Sequence, residues 1–329
     1  MTPLETKSSK PKLSIILLTP DNYETIRKVI QCYKAQTVVN TVELVIAAPK
    51  GSAVTLLPGE LQPFHSYQVV EVESNKNSSI LKAAAIVAAN ADVIVFGEDH
   101  SYPFANWAET LIKRHGEHWV AVGPRIEVPN SKRPISWTQA YMEYGPWLGK
   151  DDGGKSDYIP GHNSSFKRQA LVAYGDKLAD LLQSEYILFQ DLRRSGKQLF
   201  FEPEAVTQHL NFEKIFPCLR VSYFAGRQFA AWRTNNWNWS SKLTYILGAP
   251  LIPMVRMVRI IQMMRRNRMP ASISPSLFGL LLINLIADGF GQLMGYSFGL
   301  GNATAELYPF EFHRTNHLID KGVLDSICP

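Results

Sequence analysis

In ADVIVFGEDHSYP, residues 91–103, an apolar, β-branched run ends abruptly in Glu98, Asp99 and His100, and Pro103 stops its continuation. Two carboxylates and an imidazole within three residues form a donor set suited to a divalent cation. A cation held there would bridge a diphosphate and stabilise it as a leaving group. Two further stretches carry chemistry-bearing side chains. In YIPGHNSSFKRQAL (158–171), Gly161 permits a tight backbone turn, and His162, Asn163 and Ser164 offer polar contacts at the mouth of a short strand. In LLQSEYILFQDLRRSGKQLFFEPEAVTQHLN (181–211), Glu185 heads a helix that ends near Gly196, and His209 closes a strand. Each feature also has an ordinary reading: a polar turn, a surface loop, an acid complementing a helix dipole, a core histidine.

The surrounding pattern says what must position these groups. LSIILLT (13–19) reads as a buried strand and DNYETIRKVIQCYKAQ (21–36) as a helix, opened by a capping box of Asp21 and Glu24. Strands are expected over 42–48, 67–73, 92–96 and 119–123, and helices over 78–90 and 104–115. This alternation predicts an α/β chain with an open, mixed but mostly parallel sheet. Ligands of such sheets bind beyond the carboxyl ends of the strands, where Glu98–His100 falls. Residues 130–160 read as irregular, 177–195 as one helix, and 198–210 as two strand pieces broken at Pro203.

Composition narrows the class. The 329 residues are 46% hydrophobic and 19% charged, which is globular rather than disordered. Cys32, Cys218 and Cys328 are odd in number and far apart, a spacing that predicts neither a disulfide framework nor a zinc site and favours a reducing compartment. Residues 1–11 read as a disordered lead-in, 12–212 as the catalytic α/β domain and 213–329 as a basic, apolar helical region. Between Lys214 and Arg268 there are ten Lys and Arg and no acid, while the rest of the chain is net acidic. These cations interleave with Ile, Leu and Met, which argues against nucleic acid and for a membrane surface. SLFGLLLINLIADGFGQLMGYSFGLG (276–301) is long enough to cross a bilayer. The segment 243–268 sets Arg256, Arg259 and Arg266 on one helical face and Met257, Ile260, Ile261 and Met264 on much of the other, the pattern of a helix lying in a membrane interface.

The order of these pieces resembles glycosyltransferase family 2, the inverting nucleotide-sugar transferases with a GT-A type domain, over roughly residues 13–211. SIILLTPDN (14–22) is similar to the family's opening SIIxxTxN, and Asn75 and Lys82 stand where it has an Asn and a basic residue before an acid-tipped strand. Glu98 and His100 occupy the two acidic places of its Asp-x-Asp motif, followed by Pro103 and Trp107. PGHNSSFKR (160–168) looks like the acceptor-side PGxNxxFRR block, and SEYILFQDLRRSGKQLFFEPEAVTQH (184–209) looks like EDxxLxxRLxxxGxxxxxxPxAxxxH.

The resemblance implies roles. Glu185 is the general base, with Asp191 ranked second because it cannot share Glu185's helix face. Glu98, His100 and His209 hold the metal; Thr19, Asp21, Asn75, Lys82 and Asp99 bind the nucleotide donor; Gly161, His162 and Asn163 face the acceptor. Two departures stand out. VIAAPKGS (45–52) has Ala47 and Ala48 where the family has acids that hold the nucleoside. An imidazole in place of a carboxylate moves the metal preference from Mg²⁺ toward Mn²⁺. The expected activity is inverting transfer of a sugar from a nucleoside diphosphate to a hydroxyl acceptor, lipid-linked or polysaccharide, at the cytoplasmic face of a membrane. The alternative is a glycosyltransferase-like membrane partner without catalysis. Nucleotidyl transfer would require a Gly-rich phosphate loop after the first strand, and TPDNYE is not one.

Overall fold

The computed structural model describes residues 9–73, 77–149, 152–234, 237–266 and 274–328. The expectations for residues 1–8 and for Asn75 lie outside the described residues. The chain divides into two compact units: Met1–Arg125 with Asp151–His209 and Asp325–Pro329, and Ile126–Lys150 with Leu210–Leu324.

The first unit is built on a mixed sheet of β1 (Leu13–Leu18), β2 (Val42–Pro49), β3 (Ser66–Val72), β4 (Val93–Gly97), β5 (Ser101–Pro103), β6 (Ala121–Glu127), β7 (Gly154–Ser156), β8 (Ser165–Lys167) and β9 (Leu199–His209). The order is β3-β2-β1-β4-β8-β6-β9-β5, with β7 paired to β9. The longest ladders are parallel: β1 with β2, β2 with β3, and β1 with β4. The ladders β4–β8, β6–β8, β5–β9 and β7–β9 are antiparallel. Every residue of β1 is buried, Ser14 included, as expected of a mostly apolar central strand covered on both faces. Helices α1 (Glu24–Lys34), α2 (Ser78–Ala88) and α3 (Trp107–His115) connect and flank the strands.

A buried carboxylate ties the amino-terminal edge of the parallel half together. Glu43 accepts hydrogen bonds from Ser14 Oγ on β1, from Gln68 Nε2 on β3 (3.0 Å), and from the Asn90 backbone N–H (2.8 Å) and Nδ2 (2.6 Å) before β4. A charge this deep is tolerated because every neighbour is a donor.

Several expected boundaries shift for local reasons. Asp21 does not form a capping box with Glu24: its Oδ1 accepts from the Asn22 N–H (2.6 Å) and Thr25 Oγ1 (2.7 Å), while Glu24 pairs with Arg27 at 2.6 Å. Residues 130–160 contain α4 (Pro134–Glu143), whose Pro134 sits in the first turn, where its missing N–H costs nothing. After α5 (Arg168–Val172), the single helix expected over 177–195 is two, α6 (Leu178–Leu181) and α7 (Glu185–Arg194). β9 runs unbroken through Pro203, which lies between the residues paired with β7 and those paired with β5, so neither ladder loses a donor.

The second unit is helical: α4, α8 (Ile215–Arg233), α9 (Trp239–Gly248), α10 (Ile252–Arg266), α11 (Pro275–Phe298) and α12 (Ala303–Glu311). α8 and α11 approach closely at glycines. A side chain at Gly226 would meet the Asp288 backbone, one at Gly291 the Tyr223 backbone, and one at Gly295 the Arg227 backbone and Ala230 Cβ. Such small-residue crossings are a common solution for closely packed apolar helices. Asp288, inside α11, is compensated by Arg256 Nη1 at 2.5 Å and Gln292 Nε2 at 2.8 Å. The interfacial pattern expected over 243–268 therefore needs correction. Met257, Ile260 and Met264 pack into this unit's own core with Tyr141, Leu281 and Leu285, and Arg256 is spent on Asp288. The apolar face left exposed is Trp239, Leu243, Leu247, Leu251, Met254, Val255 and Val258, at helical spacing. Trp239–Arg265 and Pro275–Phe298 are long and apolar enough to cross a membrane.

The cysteine expectation is overturned. Cys32 on α1 and Cys328 form a disulfide, their Cα atoms 5.5 Å apart, leaving Cys218 as a buried free thiol. Local spacing could not reveal a pair separated by 296 residues. Such bonds persist in oxidising compartments. Alkylating the unreduced, denatured protein is expected to modify Cys218 alone; modification of all three cysteines contradicts the pairing. Cys32→Ser is expected to cost ~2–5 kcal/mol of stability, read from denaturant unfolding.

Candidate functional site

Strand register brings the site together. β4 delivers Glu98, Asp99 and His100 from its carboxyl end directly into β5. β5 pairs antiparallel with β9, with Ser101 opposite His209, so His209 arrives beside His100. β8 runs antiparallel to β4, with Ile94 opposite Phe166 and Val95 opposite Ser165. The Asn163 N–H donates to Phe96 O (2.8 Å), which extends that register toward the tip and sets His162 against Glu98. Asn163 holds the turn in the left-handed region (φ 56°), which Asn tolerates better than most residues, and its Nδ2 donates to Ser101 Oγ at 2.6 Å.

The resulting cluster is a carboxylate among three imidazoles. Glu98 Oε1 lies 2.6 Å from His162 Nδ1, and Oε2 lies 3.7 Å from His209 Nε2 and 3.9 Å from His100 Nε2. The His100 and His209 rings meet edge to face, centroids 4.8 Å apart. One ligand atom each from Glu98, His100 and His209 lies within 4.8 Å of the others. Glu98 Oε2 and His100 Nε2 are buried and have no hydrogen-bond partner. Two buried orphans facing each other across more than hydrogen-bond distance would each cost ~1–3 kcal/mol. A cation ligated by both removes that cost, so the donor set fits a divalent metal, with two nitrogens and one oxygen. Burial pushes the Glu98 carboxyl up, but His162, His100 and His209 outweigh it and hold it well below the usual carboxylate range. Burial lowers His162, and Glu98 more than reverses this, so its pKa is raised.

Glu185 is the first residue of α7, and its Oε1 lies 3.6 Å from Lys82 Nζ on α2. Asn77 caps α2 by accepting from the Ser79 N–H at 3.0 Å, which fixes the turn leading to Lys82. Gly161 makes room for Glu185: a Cβ there would stand 2.7 Å from Glu185 Cγ and 2.8 Å from Cδ. Burial raises the Glu185 pKa, and Lys82 and His162 more than offset it, so the carboxyl is lowered and ionised at neutral pH. His162, on the Gly161 turn, thus feels both Glu98 and Glu185.

Other expected site residues fall elsewhere. Thr19 Oγ1 donates to Asn22 O (2.5 Å), and Asp21 binds within the same turn, so both shape the β1–α1 connection. The register of β1 on β4, Leu17 opposite Gly97, puts that turn on the same carboxyl edge as Glu98. Asp191 accepts from Tyr174 OH at 2.7 Å and is not among the cluster's ligating groups. Asp99 is buried, its Oδ1 2.6 Å from His100 Nδ1. Tyr33 packs beneath the cluster, a placement not legible in the sequence: its hydroxyl occupies the space where a Cβ on Gly97 would be, and its ring stacks on the buried Trp107 at 6.0 Å. Its only sequence signal was a place on the apolar face of α1.

No protein-family model matches the chain, and no curated protein matches it. Among solved structures the chain is similar to the crystal structure of GalNAc-T7 with UDP, GalNAc and Mn²⁺, at a TM-score of 0.43 and 14% identity. The match covers 62% of this chain and spans 44% of that protein's length, a likeness too slight to carry a conclusion about activity.

Proposed function

We propose that this chain is a metal-dependent glycosyltransferase of GT-A type, similar to family 2, that moves a sugar from a nucleoside diphosphate to a hydroxyl acceptor with inversion. The observation that carries the reading is one cluster on the carboxyl edge of a mostly parallel sheet. It joins Glu98, His100 and His209 through His162 to Glu185 and Lys82. The domain reading, a catalytic α/β region over about 12–212 and a helical, membrane-associated region after it, is amended by the two units: Ile126–Lys150 goes with the helical region and Asp325–Pro329 with the catalytic one.

Glu98, His100 and His209 would hold the cation, Mn²⁺ in preference to Mg²⁺ because two of the three donors are imidazoles. Bound there, it would supply positive charge to a departing diphosphate. Glu185 accepts the proton of the acceptor hydroxyl as that oxygen attacks the anomeric carbon. Lys82 keeps Glu185 ionised and offers a cation to the donor's phosphates. One base and a direct displacement give inversion. Gly161, His162 and Asn163 form the turn beside Glu185, where an acceptor would sit, and Thr19 and Asp21 line the edge available to the nucleotide.

The exposed ridge Trp239–Val258 and its basic surroundings support docking on an anionic membrane and a lipid-linked or polysaccharide acceptor. The Cys32–Cys328 bond speaks against the cytoplasmic face expected from cysteine spacing. A second reading, a glycosyltransferase-like membrane partner without catalysis, draws on Ala47 and Ala48. Both are wholly buried and offer no carboxylate to a nucleoside.

A donor screen with Mn²⁺ that detects released nucleoside diphosphate is expected to find turnover. Calorimetric silence across a panel of nucleotide sugars with Mn²⁺ contradicts the transferase and selects the second reading, whereas heat of binding contradicts the second. In the active pair, Glu185→Gln is expected to lower kcat by ~10²–10⁴-fold with donor affinity nearly unchanged; a wild-type rate removes Glu185 as base. Lys82→Met removes a cation that lowers the Glu185 pKa, so the acidic limb of the pH–rate profile is expected to move to higher pH; an unmoved limb contradicts the pairing. In flotation assays the protein is expected to bind vesicles containing phosphatidylserine. Leu247→Glu with Leu251→Glu should weaken that binding by at least ~10-fold, on the scale of burying two apolar side chains; equal binding would discount the ridge.

A further inference from the structure

Asp99 sits between two proposed metal ligands, yet its carboxylate is engaged with the far edge of the His100 ring. Oδ1 lies 2.6 Å from Nδ1, and the two side chains are 4% and 2% exposed. We propose that Asp99 is a positioning residue for His100, fixing the Nδ1–H tautomer and the ring orientation that turns the Nε2 lone pair toward Glu98 and His209. The inference rests on the reading of Glu98, His100 and His209 as a cation site. It replaces the donor-binding role expected for Asp99.

An ionised carboxylate only accepts hydrogen bonds, and a neutral imidazole carries one donor and one acceptor nitrogen. At 2.6 Å the Asp99 oxygen therefore requires the proton on Nδ1. In the neutral ring that ligation requires, Nε2 is left as a lone pair, and it is the buried atom without a hydrogen-bond partner, 3.9 Å from Glu98 Oε2. The opposite tautomer would set two acceptors against each other at Nδ1 and leave an Nε2–H with no acceptor within reach. A carboxylate behind a ligating imidazole locks its orientation and raises its basicity, and losing one typically weakens metal binding by ~10–100-fold. The backbone adds a second constraint: Ser101, directly after His100, begins the ladder to β9 opposite His209, so the ring cannot rotate away with its chain. A carboxylate buried in this way is poorly placed to bind a nucleotide, whose phosphates it would repel.

Two measurements on the full-length protein test this. Long-range ¹⁵N–¹H spectra of the metal-free wild type, recorded where the ring carries a single proton, report the tautomer directly: Nδ1–H at His100 is expected, and Nε2–H as the ring's sole proton overturns the inference without any variant. Mn²⁺ titration followed by electron paramagnetic resonance then compares wild type with Asp99→Ala and Asp99→Asn, each checked for its fold by circular dichroism. Asp99→Ala is expected to bind Mn²⁺ ~10–100-fold more weakly. Asp99→Asn, which keeps an acceptor oxygen, is expected to lose less and serves should the alanine variant not fold. Wild-type Mn²⁺ affinity in the folded variants overturns the positioning role and leaves the cation site standing. Nucleoside diphosphate affinity lost at unchanged Mn²⁺ affinity does so too and restores the donor role. A wild type that takes up no Mn²⁺ overturns both the inference and the reading beneath it.

Discussion

The site depends on the Glu98 carboxylate, held among His100, His162 and His209 at the tip of β4. Removing a carboxylate from water is costly unless charge or donors replace the lost hydration. One oxygen finds His162; the other finds nothing within hydrogen-bond reach. The environment is therefore built for a positive partner, and the arrangement of the first unit follows from delivering that environment to one point. β4 brings the carboxylate, the β5–β9 ladder brings His209, and the β4–β8 register brings His162.

The same economy links the cluster at the tip of β4 to Glu185. Gly161 precedes His162, and its missing side chain lets Glu185 come up against the turn. Lys82, on the helix capped by Asn77, completes the pair and keeps Glu185 charged. Electrostatics inside a partly desolvated cleft are stronger than at the surface, so a few fixed charges dominate its chemistry. At the opposite edge of the parallel strands, Glu43 uses the same physics for stability, surrounded only by donors and so without reason to bind anything.

Much of this was legible in the residues. Apolar runs announced β1, β2 and β4, though Ser14 and Glu43 interrupt the first two, and the abrupt turn to Glu98–His100 marked the carboxyl edge where the cluster stands. What escaped was long-range. Neither His162's contact with Glu98 nor the Cys32–Cys328 bond has a local signal, because each is set by sheet register or chain closure. Pro203 looked like a strand breaker because a linear reading does not show which N–H groups a ladder needs. The amphipathic pattern of 252–266 was real, but periodicity names a buried face without saying what buries it. Met257, Ile260 and Met264 face protein, and Asp288 claims Arg256.

The most direct measurement is anomalous diffraction at the manganese edge from crystals grown with Mn²⁺ and a nucleoside diphosphate. A single strong peak within ligation distance of Glu98 Oε2, His100 Nε2 and His209 Nε2 is the predicted result. Ordered nucleotide with no peak there, or a peak ligated by other residues, would contradict the account.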